Sequence, residues 1–463
     1  MSRRADPRRV AYATLRAVDE SEAYANLLLP VEIDRAGLDT QDAALATELT
    51  YGTLRRQGTY DAIIALAAGR DIQAIDPDVR DALRLGVHQL LSTRIASHAA
   101  VHETVALVRE VAGQSATGFA NAVLRRISRD TPGEWMGRIE QAARSDDERI
   151  GLVHSHPVWI LRAFRRALAA EGRADEIDDL LRADNASPRV SLAVLPGLAT
   201  RPADLAPTQY SPVGAQLPGG DPERIVTASG GRIRVQDEGS QLVALALPAA
   251  TPIRPGERWL DLCAGPGGKT ALLAAEALRH GAALEANEIS HTRAGLVRRA
   301  LAGVPAEVPV SEEDGRDRAH ATPGGYDRIL VDAPCTGLGA LRRRPEARWR
   351  KSPNDVTELV DLQRDLVAAA LTALRPGGVL AYVTCSPHLA ETTGVVADVL
   401  RTAGDDVEEL DARAVLQSVS RTPLDLPAPS SGSGRAQLWP HRHGTDAMFI
   451  SLLRRRPSTD EKR

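Results

Sequence analysis

One run of residues restricts the architecture of this chain more than any other: Asp261-Leu-Cys-Ala-Gly-Pro-Gly-Gly-Lys-Thr270 follows a short apolar stretch and opens a helical pattern. Glycines clustered between a strand and a helix let the backbone approach a ligand closely and turn helix N-terminal amides toward it. Such a turn belongs to an α/β sheet, and the surrounding pattern agrees. Trp259 to Leu262, Leu284 to Glu288, Tyr326 to Asp332 and Val379 to Thr384 are short apolar runs separated by helical segments, with Ala447 to Leu453 as a last strand. That alternation predicts a mostly parallel sheet covered on both faces.

The first part of the chain has a different period. Apolar residues return every three or four positions at Val79, Leu83, Val87 and Leu91, at Val101, Val105 and Val108, and at Phe119, Val123 and Ile127, which predicts a helical bundle. Asp76-Pro77 reads as a cap followed by proline in the first turn. Beyond Thr131-Pro132-Gly133 a helix carries Ile160, Phe164 and Leu168, and Arg189 to Leu195 alternates as a strand. Pro196 to Gly231 is a loop-rich connector with one short strand expected at Arg224-Ile225-Val226. The expected domains are an all-α bundle (1–135), a small α+β connecting domain (136–235), an α/β domain (236–456) and a polar tail (457–463), with Pro423 to Gly434 as a flexible loop.

Bulk properties narrow the class. Of 463 residues only three are cysteine, too few and too scattered for a disulfide framework or a cysteine zinc site. The opening Met1-Ser2-Arg3-Arg4 leads into a polar helix and no run of about 18 apolar residues occurs, so neither secretion nor membrane insertion is expected and the cytoplasm is the default. No metal is expected, and a monomer is the default state. A net charge of −4 argues against an overall basic surface, yet Arg342, Arg343, Arg344, Arg348, Arg350 and Lys351 crowd one window beside Trp349, where guanidinium groups and an indole offer phosphate and base contacts to RNA.

Three pockets compete for the glycine-rich run. A phosphate loop would need glycine at Cys263, and a dinucleotide fingerprint would need it at Thr270. The remaining candidate is an S-adenosylmethionine loop formed by Cys263, Ala264, Gly265, Pro266, Gly267, Gly268 and Lys269. Glu288 ends the next strand 288 − 268 = 20 positions after Gly268, where an acid accepting ribose hydroxyls is expected. Asp314, in Glu-Asp-Gly-Arg, fits a place beside the adenine and equally a turn before glycine.

Two cysteines sit in matching contexts. Asp332-Ala-Pro-Cys335 and Val383-Thr-Cys385-Ser386 each end a predicted strand, so both thiols can face one crevice although 385 − 335 = 50 residues separate them. A lone cysteine is ordinarily a small buried hydrophobe; a pair beside a cofactor loop points to covalent chemistry. Methyl transfer to oxygen or nitrogen needs no thiol. C5 of a pyrimidine is not nucleophilic until a thiolate adds to C6, after which C5 attacks the methyl, its proton leaves and the thiol is eliminated. Spacing alone does not say which cysteine attacks. The Asp332 carboxylate stands where it could bond a base edge, and a target cytosine would have to be flipped out of its stack.

These motifs together resemble the Sun/RsmB family of RNA cytosine-C5 methyltransferases over nearly the full length: Cys263 to Lys269 as its cofactor loop, Pro334-Cys335 as its Pro-Cys motif and Thr384-Cys385-Ser386 as its Thr-Cys motif. The helical first part, with Arg8-Arg9-Val10-Ala11 and Phe119-Ala-Asn-Ala-Val-Leu-Arg-Arg126, resembles the NusB-like RNA-binding domain. The resemblance implies a NusB-like bundle followed by a Rossmann-like class I methyltransferase domain, S-adenosylmethionine as cofactor, and RNA, ribosomal RNA first, as partner. It implies that Cys385 is the nucleophile and Cys335 assists release, and that Lys269, Glu288, Asp314 and Asp332 line the cofactor and cytosine pocket. Arg342, Arg343, Arg344, Arg348 and Trp349 match its basic Arg-x-Pro-x-x-x-Trp stretch, which suggests RNA contact. Glu391 falls where the family has a glutamate. The chain departs from the pattern at Glu288, where aspartate is usual, and at Thr392, where asparagine is frequent. Competing readings are a transfer RNA or DNA target, and a non-catalytic RNA-binding antitermination or assembly factor.

Overall fold

The computed structural model describes residues 6–21, 24–428 and 434–457; positions 429–433 of the expected loop and 458–463 of the expected tail lie outside the described residues. Two compact units are present: Met1–Arg162 with Asp184–Ala186 and Leu341–Arg350, and Ala163–Ala183 with Ser187–Ala340 and Lys351–Arg463.

The first unit is helical. Pro77–Ser92, Ser97–Val111 and Gln114–Ile127 are the three helices whose spacing the sequence displays, and their apolar faces bury Leu83, Val87, Leu107, Val108, Leu124 and Ile127. The Asp76 carboxylate accepts hydrogen bonds from the amides of Asp78 and Val79, capping the first of them. The unit runs past residue 135. Trp135 and Ile139 enter the same core, and the Trp135 indole donates to the Ile127 carbonyl at 2.9 Å, which satisfies its one polar group inside apolar surroundings.

The second unit carries two sheets. Strands β1 (Val190–Val194), β2 (Ala206–Pro207), β3 (Gly214–Leu217) and β4 (Ile233–Val235) form a small sheet in the order β2-β3-β1-β4, antiparallel at each pairing. The strand expected at Arg224-Ile225-Val226 is instead within a helix, Glu223–Ala228. Asp221 accepts from the Glu223 amide and Gly230-Gly231 closes the turn after it, so local capping outweighs the β-branched pair.

The large sheet contains β5 (Arg258–Asp261), β6 (Ala283–Asn287), β7 (Val310–Ser311), β8 (Tyr326–Asp332), β9 (Leu374–Thr384), β10 (Val407–Leu410), β11 (Ala436–Gln437) and β12 (Phe449–Arg455). Its order is β10-β12-β9-β8-β5-β6-β7, with β11 beside β12. Pairings from β9 to β7 are parallel, whereas β12 runs antiparallel to β9 and β10. Alternate residues divide between the faces. Leu330, Val379, Ala381 and Val383 meet the helices Glu238–Ala249 and Gly268–His280, while Ile329, Val331, Leu380 and Tyr382 meet the helix Pro353–Ala373. Burying each valine, leucine or isoleucine among them is worth roughly 1.5–3 kcal/mol, and this holds the strand ends, where the polar motif residues lie, in fixed register.

Candidate active site

Asp261 closes β5, and the glycine-rich run turns from it into the helix Gly268–His280. Gly267 has φ of 101°, and a Cβ there would lie 2.5 Å from the Ala300 methyl, so no other residue fits without displacement. A Cβ on Gly265 would lie 2.2 Å from a Glu288 carboxylate oxygen. That oxygen accepts from the Gly265 amide at 3.0 Å, the other accepts from the Ser290 amide, and Arg293 donates to the Gly265 carbonyl. Glu288 is therefore bonded to the loop it was expected to assist, just past the end of β6. Ala264 donates to the Asn287 carbonyl, and the Asn287 side chain donates to the carbonyls of Leu262 and Glu313, tying three strand ends together. Asn287 carried no signal in the sequence. Cys263 is packed against the core with its thiol pushed up by burial, so its backbone, not its sulfur, serves the loop.

The Lys269 ammonium donates to Asp332 at 2.8 Å, joining the start of the helix to the end of β8. Burial pulls its pKa down, but Asp332 outweighs this and holds it above the ordinary value. Asp261, almost fully buried, accepts from the Thr270 hydroxyl at 2.7 Å, and burial pushes its carboxyl up to about 7. Because the folded state holds this proton more tightly than the unfolded chain does, the associated stability is complete below pH 4 and is lost as pH rises through 7. Urea unfolding between pH 5 and pH 8 is expected to show this loss, on the order of 3 kcal/mol, and Asp261→Asn, which keeps the acceptor for Thr270, is expected to flatten it.

The parallel register sets Asp332 beside Val383, so the chain leaves β8 and β9 at the same edge. Cys335 and Cys385 follow, and their sulfurs are 3.4 Å apart. Contact with Cys385 is the largest influence on Cys335; with burial and the nearby Glu391 it raises the Cys335 thiol well above its ordinary range. Cys385 is also among the groups that hold the Lys269 pKa up. The cofactor-type loop, the Lys269–Asp332 pair and both thiols therefore occupy one end of the sheet, where open α/β sheets bind their ligands.

Gly339 makes this approach possible. Its amide donates to the Cys385 carbonyl at 2.8 Å and its carbonyl accepts from Ala447, while a Cβ would lie 2.2 Å from the Ala447 carbonyl oxygen and 2.8 Å from that of Cys385. Gly339→Ala is expected to push the Cys335 segment from Cys385 and to lower methyl transfer by ~100-fold, since displacements near 1 Å at a reacting centre cost that much; steady-state assay of the folded variant checks it.

Other expected site residues are already engaged in contacts of the fold. Asp314 caps the helix Gly315–His320 through the Arg316 amide and takes a two-toothed contact from the Arg316 guanidinium, 3.0 and 2.6 Å, the turn role its sequence context equally allowed. The basic window is not a continuous exposed face. Arg348 is fully buried in the helical unit, donating to the carbonyls of Arg55, Ser155 and Asp184 and to the Asn185 side chain. Burial pulls its pKa down to about 10. With both terminal nitrogens bonded inside the unit, Arg348 is a structural tie and not the RNA contact expected of it; Arg342 is buried as well. Arg343 is partly covered, whereas Arg344 and Trp349 are exposed, Arg344 lying over the Tyr24 ring.

Comparison with known proteins places these features. A family described as 16S rRNA methyltransferase RsmB/F matches residues 249–454, and the NusB family matches residues 5–129. The ribosomal RNA small subunit methyltransferase B of Pseudomonas putida is 34% identical over 88% of this chain and 91% of its own length. This chain belongs to the RsmB/F family. A Mycobacterium tuberculosis protein named only as a methyltransferase, Rv1407, is 49% identical over 97% of each chain. The solved structure of PH0851 superposes with a TM-score of 0.77 at 22% identity, covering 98% of each chain, and shares the fold. An RsmB/F member is an RNA methyltransferase, and the expected architecture of a NusB-like helical region before a mostly parallel class I methyltransferase sheet holds. No helix among the described residues is long and apolar enough to cross a membrane.

Proposed function

We propose that this protein transfers a methyl group from S-adenosylmethionine to C5 of a cytosine in 16S ribosomal RNA, in the cytoplasm, through an adduct between Cys385 and C6. The observation that carries this reading is the 3.4 Å approach of two thiols at neighbouring strand ends beside a glycine-rich loop. The donor set fits that cofactor: a glycine turn at a helix N-terminus suits its amino-acid end, and the carboxylates of Asp261, Glu288 and Asp314, at or just past the ends of β5, β6 and β7, suit its ammonium, ribose and adenine. When bound, it supplies an electrophilic methyl. The rest falls to the chain. The Cys385 thiolate adds to C6, Asp332 and Lys269 hold the base edge, and loss of the C5 proton lets the C6–S bond break and returns the thiolate. Arg343, Arg344 and Trp349 remain candidates for RNA contact, and the NusB-like unit suits RNA capture.

Incubation with S-adenosylmethionine carrying a labelled methyl group and 16S ribosomal RNA, transfer RNA or duplex DNA tests the reading. Label is expected in 16S RNA, at one cytosine that resists bisulfite conversion. Label confined to transfer RNA or DNA, or at a nitrogen or oxygen atom, would overturn it.

A further inference from the structure

Both cysteine-bearing segments meet at one side chain that neither the fold nor the proposed chemistry requires. Glu391 is fully buried. One of its carboxylate oxygens accepts from the Thr336 amide at 2.7 Å and the Gln363 side chain at 3.3 Å; the other accepts from the Thr336 hydroxyl at 2.5 Å and the Ser386 hydroxyl at 2.6 Å. Thr336 is the residue after Cys335, and Ser386 the residue after Cys385. The Glu391 backbone is itself fixed, its carbonyl accepting from the buried Tyr382 hydroxyl at 2.6 Å, and Gln363 also donates to the Pro334 carbonyl at 2.8 Å. A carboxylate is costly to bury unless its lone pairs are filled. Here four donors fill them, three of them from the two residues adjoining the thiols.

We propose that Glu391 is a positioning residue that clamps the Pro-Cys and Thr-Cys segments together and so sets the distance between Cys335 and Cys385. Local geometry explains why a clamp is needed. Beyond Asp332 and Thr384 the two strands have ended, so sheet pairing no longer holds the segments side by side. Short hydrogen bonds to a carboxylate are about twice as strong as neutral ones, and a single acceptor shared by both segments couples their positions. The Glu391 oxygens are saturated by the donors named above, which leaves it a mechanical role. Its consequence is specific. Addition at C6 needs only Cys385, whereas release needs Cys335 close to the adduct, so loosening the clamp slows release more than attack.

The inference rests on the methyltransferase reading, and one of its tests does not. Glu391→Gln keeps size and one acceptor oxygen but replaces the second by an amide that must donate to both hydroxyls at longer range. Oxidation by diamide measures thiol proximity without turnover: two thiols lose two hydrogens to the azo bond, which becomes a hydrazine, and one S–S bond forms, read as a 2 Da loss in the intact mass, the mass of two hydrogens. Cys335–Cys385 closure is expected to be roughly tenfold slower in Glu391→Gln, within the ~100-fold that displacements near 1 Å can impose. In turnover, the same variant, with both cysteines intact, is expected to accumulate a denaturant-stable RNA adduct that the wild type does not, with KM for S-adenosylmethionine unchanged. If Glu391→Gln does not fold, Thr336→Val combined with Ser386→Ala removes both hydroxyl arms while keeping Glu391, and the same two effects are expected. Wild-type oxidation rates in a folded variant would overturn the clamp. Slowed oxidation with no methyl transfer by the wild type would leave the clamp standing and sink the methyltransferase chemistry.

Discussion

Cys385→Ala is expected to abolish methyl transfer, by roughly 10⁴-fold or more, the range seen when a covalent nucleophile is removed, while S-adenosylmethionine still binds. C5 of cytosine has no usable nucleophilicity without addition at C6, so no neighbouring group can make up the loss. The structure narrows the substitutes. Cys335 is 3.4 Å away, but the influences that raise its thiol, contact with Cys385, burial and Glu391, leave it protonated at neutral pH. With Cys385 gone Cys335 loses that contact and becomes more acidic, but its sulfur stands 3.4 Å from the place the attacking sulfur held, so it does not form the same bond to C6 and does not become an effective attacker. Lys269 is committed to Asp332. Labelled methyl transfer to 16S RNA, with cofactor binding by calorimetry as the control for folding, measures the outcome; retention of full activity would sink the covalent mechanism.

The parts of this site that could be read from sequence are those determined by neighbours along the chain. β8 occupies the predicted Tyr326 to Asp332, and the glycine turn, Asp76 cap and strand-end cysteines follow from local propensity and pleat period. What could not be read depends on side chains brought from far away. Arg348 looked like part of a solvated basic face because its partners at Arg55, Ser155, Asp184 and Asn185 are more than 150 residues distant, as 348 − 185 = 163 for the nearest shows, and these acceptors make its burial tolerable. Asn287 and Gln363 were silent for the same reason. Glu391 did carry a signal, its place after Cys385, but its meaning required Thr336, 391 − 336 = 55 positions upstream.

Cys335→Ala is expected to do the opposite of Cys385→Ala: methyl transfer proceeds once and the enzyme remains attached to its product, so a band of protein plus RNA survives denaturation and multiple turnover falls by ~100-fold or more. The argument turns on how the two sulfurs share protons. In the free enzyme the Cys385 sulfur holds the Cys335 proton in place, with contact the largest cause and charge a further one. Once Cys385 is bonded to C6 it is a thioether, without charge and a poor acceptor, so both of those influences are withdrawn and Cys335 becomes more acidic at the moment when the C5 proton must be taken. The same neighbour thus keeps Cys335 a thiol during attack and frees it to act as a base during release. Alanine removes that base and leaves the addition step intact. Release by the wild type is accordingly expected to quicken as pH rises above neutral, whereas adduct decay in Cys335→Ala stays slow and nearly independent of pH. A variant that turns over normally and shows no adduct would assign release to another group.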